Sequence, residues 1–168
     1  MLASKKEPPL YAKDYFEAST ERWQEVEYLF DASKQSDGDY WLIVTFLSAV
    51  YLECLLTAIM LEEHTKGGKN EPPLVPDHNL LTLLGKTSLH KNYAVMNDVK
   101  PVADKWAFWR ADLRYLSDNG WEKRINLKDP LKDEDGNPLS RKVIAEEIYS
   151  GAYNVKKAGE DLWRRLKK

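Results

Sequence analysis

The chain has 168 residues, 43% hydrophobic and 31% charged, which suits one folded domain with a substantial core and excludes general disorder. A formal net charge of −2 excludes a global basic field for nucleic acid or anionic lipid and leaves only local patches. Cys54 is the only cysteine, so no intramolecular disulfide can form.

Residues 1–10 read as a flexible leader, polar and Pro-Pro-bearing from Lys5 to Pro9, and residues 11–168 as a single helical domain. The first residues lack the uninterrupted apolar stretch of a secretory signal, so the expected location is cytoplasmic. From about Tyr11 to Ser33, Tyr15, Trp23, Val26 and Phe30 recur at helical spacing, widened by Phe16 and Leu29. Glu17, Glu21, Glu25 and Glu27 lie largely off that stripe, so this is an amphipathic helix. The segment Gln35 to Asp39 reads as a turn that supplies a cap to a second helix.

Tyr40 to Leu61 is almost unbrokenly apolar and long enough to cross a bilayer. Three features oppose a membrane span. Glu53 would sit near the bilayer centre, at a cost of roughly 2.5–3.5 kcal/mol. The flanks are acidic on both sides, with Asp37 and Asp39 before and Glu62 and Glu63 after. The remaining helices are amphipathic and need an apolar surface to pack on, and a helix apolar on most faces provides the middle of such a bundle. The second helix is expected to end near His64, before Lys66 to Asn70, with an extended loop over Glu71–Pro76.

Asp77 is a good N-cap for a short third helix from His78 to about Leu84. Ser88 to Asn97 has no clear pattern. From Asp98 to Leu116, Val99, Val102, Trp106, Trp109, Leu113 and Leu116 alternate steps of three and four, which predicts a fourth long helix with Pro101 in its first turn. Asp118 to Gly120 ends it, and residues 121–140 form a polar connection with room for a short hairpin. A last helix runs from about Arg141 to Leu166, with Ile144, Ile148, Ala152, Val155, Gly159, Leu162 and Leu166 as its buried seam. The fold class is therefore all-α: a single bundle of four long helices and one short one.

Recognisable catalytic and metal motifs are absent: the sequence contains no P-loop, Rossmann glycine pattern, His-Glu-x-x-His or Cys-x-x-Cys. Asp133 to Gly136 faintly resembles a calcium loop, but Leu131 and Lys142 occupy the positions where acids are required, so it is a turn. No cofactor and no metal are expected. His64, His78 and His90 lie at helix ends or in loops without an orienting partner visible in sequence. The tail Trp163 to Lys168 is either a small phosphate-contacting patch or, the preferred reading, a cluster of cations complementing a helix C-terminus. Arg110 and Arg114 share a helix face and form the candidate binding pair. Arg114 is also the expected partner of Glu53, whose burial asks for a counter-charge.

Three segments resemble a HEPN (higher eukaryotes and prokaryotes nucleotide-binding) domain. They are the apolar helix Leu47–Met60 with its inward Glu53, the His78-Asn79-Leu80 start of the short helix, and Trp109 to Tyr115. The resemblance implies a helical bundle that forms a homodimer. In many members it also implies a metal-independent RNase whose site resembles Arg-x(4–6)-His. Here that pattern fails, because all three histidines precede Arg110 and the only arginine before them is Arg22. An unperturbed tyrosine, with a pKa of about 10, is a poor substitute for the missing His. The expectation is a non-catalytic HEPN-like domain that binds RNA, a nucleotide or a partner protein, as an accessory of a bacterial defence or toxin–antitoxin system. The alternatives are an RNase with a rearranged site built from Arg114 and His78, and a purely structural interaction domain.

Overall fold

The computed structural model describes residues 11–35, 40–67, 78–106, 135–137 and 139–168. The leader, the expected cap in 37–39, the 71–76 loop, the continuation of the fourth helix through Arg110 and Arg114, and residues 121–134 lie outside the described residues. The helices are α1 (Ala12–Gln35), α2 (Trp41–Lys66), α3 (Leu80–Gly85), α4 (Tyr93–Trp106) and α5 (Arg141–Leu166), with a 3₁₀ turn over Ser88–Lys91. Among the described residues no strand occurs, and the all-α bundle holds.

α2 is the centre. Val44, Ala49, Tyr51, Leu52, Leu55, Leu56, Ala58 and Ile59 are all 1% exposed or less. At about 1.5–3 kcal/mol for each large apolar side chain withdrawn from water, this helix is the main source of stability. It is long and apolar enough to cross a membrane, yet 61% of its most apolar stretch is buried inside the protein. Its N-cap, Tyr40, makes no side-chain capping bond, and Gln35, the first residue of the expected turn, belongs to α1.

The contacts fix the directions. Phe30 meets Trp41 and Trp23 meets Tyr51, so α1 and α2 run antiparallel. Phe30 stacks on Tyr149 at 3.8 Å and Phe16 on Trp163 at 4.5 Å, so α1 and α5 are antiparallel too. α5 therefore lies parallel to α2, joined at its far end by Lys167 to Glu62 at 2.6 Å. α5 begins at Arg141 as expected, where the Ser140 hydroxyl accepts from the Val143 N–H. Its expected seam is buried through Leu162, with Leu166 half-buried.

Two of the expected helix starts differ. α3 is capped by Asn79, whose side chain accepts from the Leu81 and Thr82 N–H groups, and His78 lies outside the helix. Asn79 takes the capping role expected of Asp77, its side-chain oxygen satisfying two of the helix's first amides. α4 starts at Tyr93 rather than Asp98, with Asn92 Oδ1 accepting from the Ala94 and Val95 N–H groups. Pro101 therefore lies within the helix, which forgoes one backbone bond there. The buried seam Val95, Val99 and Val102 outweighs that loss.

Two glycines let α5 approach its neighbours. A Cβ on Gly151 would fall 2.5 Å from Val102 Cγ2 and 2.8 Å from the Asp98 backbone oxygen, while one on Gly159 would fall 2.6 Å from Leu55 Cδ2. The first obstacle includes backbone and cannot rotate away. Gly151→Ala is expected to lower stability by about 1–3 kcal/mol through overpacking, despite a helix-propensity gain of about 1 kcal/mol. Gly85→Ala, whose Cβ would meet nothing within 4 Å, is expected to be neutral or stabilising. Urea unfolding of the two variants against the parent checks the contrast.

Candidate functional site

Among the described residues, His78 is a partner of Glu53. The Glu53 side chain is 16% exposed, and its Oε2 lies 3.2 Å from His78 Nδ1. A carboxylate only accepts, so the ring proton is assigned to Nδ1 and the Nε2 nitrogen faces outward on a ring that is 89% exposed. The inward acid has a basic partner in His78. Arg114, the partner expected from sequence, lies outside the described residues, as does Arg110. Cys54 beside it is half-buried, and its thiol is pushed above the usual range, first by burial and then by the Glu53 carboxylate, with Arg22 partly offsetting. That is the chemistry of a structural cysteine rather than a nucleophile. The Tyr149 hydroxyl is also raised, by burial and then by Glu27, Asp31 and Tyr153, which takes it further from acid–base work near neutrality.

α2 places two more carboxylates. Glu63 accepts from the Ser88 N–H at 2.9 Å and from the Ser88 hydroxyl. This tie holds the 3₁₀ turn so that Leu89 enters the core at 5% exposure, while Lys91 stays exposed. Beside the turn opens a cleft of about 550 Å³ between it, the start of α4, and α5. Its floor is apolar, from Leu89, Ala158 and Leu162, and its rim carries Lys91, Lys157 and Arg165.

Charge pairing distinguishes this cleft from a second groove on the described surface. Asp161, the one acid lining it, is taken by Arg164 at 2.5 Å, and Asp98 is hydrogen-bonded by the Asn154 amide at 3.2 Å. Arg165 donates only to the Asp161 backbone oxygen. Among the described residues neither Lys91, Lys157 nor Arg165 has a carboxylate partner. The second groove, of about 710 Å³ and floored by Phe16 and Trp163, differs in this respect. Its Lys13 is paired with Glu17 at 3.2 Å and its Lys167 with Glu62, and Glu21 adds a further acid. Of these two clefts, the first presents the uncompensated cations among the described residues.

The cations of the tail, expected as a cluster complementing a helix C-terminus, have separate roles. Lys167 ties α5 to α2, Arg164 neutralises Asp161, and Arg165 faces the cleft. Sequence reasoning missed Lys91 and Lys157 altogether. Lys157 and Arg165, eight apart, share a face of α5 and could have been noticed together, but Lys91 reaches them only through the fold. Among the described residues no group of three His, Cys, Asp or Glu is placed to hold a metal ion. No family model, no curated protein and no solved structure matches this chain.

Proposed function

We propose that this protein is a non-catalytic, HEPN-like helical domain that binds a phosphate-bearing ligand, with RNA or a nucleotide as the ligand class, in the cleft between the 3₁₀ turn and α5. The observation that carries the reading is the set of three cations, Lys91, Lys157 and Arg165, on a cleft whose single acid is already engaged by Arg164. Cations left without carboxylates around an apolar floor favour an anion with an apolar or aromatic body. A volume of about 550 Å³ suits a ligand of nucleotide size. Arg110 and Arg114 remain a second proposed contact region. A cytoplasmic homodimer, acting as an accessory in a bacterial defence or toxin–antitoxin setting, is the biological context that accompanies the HEPN resemblance.

A second reading draws on the contact between Glu53 and His78. A carboxylate on Nδ1 orients the ring and leaves Nε2 as a proton acceptor, the arrangement a general base requires. In that reading His78, with Arg114, acts as a metal-independent RNase. The cleft reading is preferred because His78 stands on an open surface.

Replacing Lys91, Lys157 and Arg165 together by Gln is expected to weaken single-stranded RNA binding at low salt while leaving thermal unfolding unchanged. Three lost phosphate contacts on a single strand reduce the slope of log K against log salt by about 2. Unaltered affinity and slope in the triple variant would remove the cleft from the account. For the RNase reading, the expected result is no cleavage of varied RNAs in the presence of a chelator. Cleavage abolished by both His78→Ala and Arg114→Ala would instead establish the second reading.

A further inference from the structure

The geometry points to a phosphomonoester, a terminal phosphate rather than an internal diester, as the group this cleft holds. The inference rests on the cleft reading above and specifies its ligand.

Charge is the first argument. The cleft sets three cations against one carboxylate, and Arg164, which is not part of the lining, neutralises that carboxylate from outside. A phosphomonoester carries about −1.5 to −2 near neutral pH, with three acceptor oxygens, whereas each internal diester carries a single negative charge. Three cations around one cleft match a doubly charged end better than a line of single charges.

Shape is the second. Lys157 and Arg165 are eight residues apart on α5, about 12 Å along the axis, and Lys91 enters from the opposite wall. The cations therefore surround a short cleft instead of tracking along an extended groove. Non-specific strand binding uses such a track, with aromatic platforms for successive bases. Leu89, Ala158 and Leu162 offer one apolar floor, and among the described residues no aromatic side chain lines the cleft.

The neutral polar residues of the lining are largely engaged within the protein: Asn92 accepts from the Ala94 and Val95 amides, Ser88 donates to Glu63, and Asn154 donates to Asp98. The attraction for a dianion therefore rests on the three cations.

The test compares a single-stranded RNA with a 5′-phosphate, the same strand with a 3′-phosphate, and the same strand with hydroxyl ends, together with adenosine monophosphate and adenosine. Binding is measured by calorimetry on the full chain. At least tenfold tighter binding of a phosphorylated strand than of the hydroxyl-ended one is expected, with the difference lost in Lys91→Gln/Lys157→Gln. Retention of the parent melting temperature shows that this variant is folded. Equal preference for the monophosphate alone supports the inference and identifies a free mononucleotide as the source. Equal binding of phosphorylated and hydroxyl-ended strands overturns the terminal-phosphate inference while leaving RNA binding in place. No binding of any of the five ligands overturns both.

Discussion

The bundle depends on burying most of the apolar surface of α2 against its neighbours, with a half-buried stripe through Phe46, Leu47, Val50 and Cys54 among the described residues. A helix with this composition needs other elements to cover it. α1 packs antiparallel along one flank and α5 parallel along another, while α3 closes the end nearest the 3₁₀ turn. The close approach of α5 requires Gly159, whose missing side chain makes room for Leu55. The same helix that looks like a membrane span by length becomes a core once those partners are in place.

The polar groups on α2 then position what surrounds the core. Glu53, Glu62 and Glu63 each reach a different element: the segment before α3, the end of α5, and the 3₁₀ turn. None of these contacts is a large source of stability, since each has an exposed partner. Their effect is positional. Glu63 holds the turn that carries Lys91, and Glu62 engages Lys167, so Arg165 remains for the cleft. Two carboxylates in the last turns of an apolar helix, Glu62 and Glu63, thereby help arrange the elements that border the cleft.

The long helices were legible because their apolar periodicity is strong. α5 begins and ends where its pattern does, and the α1 stripe of Trp23, Val26 and Phe30 is buried as read. α4 was placed five residues late because Asp98 and Pro101 imitate a helix start, whereas the real cap is Asn92 in a stretch without clean periodicity. Asp77 and Asn79 are equally good caps by residue type, so the sequence pattern alone does not separate them; Asn79 is the cap. The need for a basic partner at Glu53 is visible in sequence, but the contribution of His78 is not, because the fold brings it from 25 residues along the chain. The cleft was the least legible feature. Its charge depends on which acids are already paired, and pairing is a property of the folded surface.

The central claim is that α2 is the enclosed core of this bundle, and native-state hydrogen exchange in detergent-free buffer tests it most directly. The backbone amides from Ala49 to Met60 are expected to exchange only through global unfolding, with the same free energy as urea denaturation. Exchange of those amides well below that free energy, or a protein that keeps its fold only in lipid or detergent, would contradict the account.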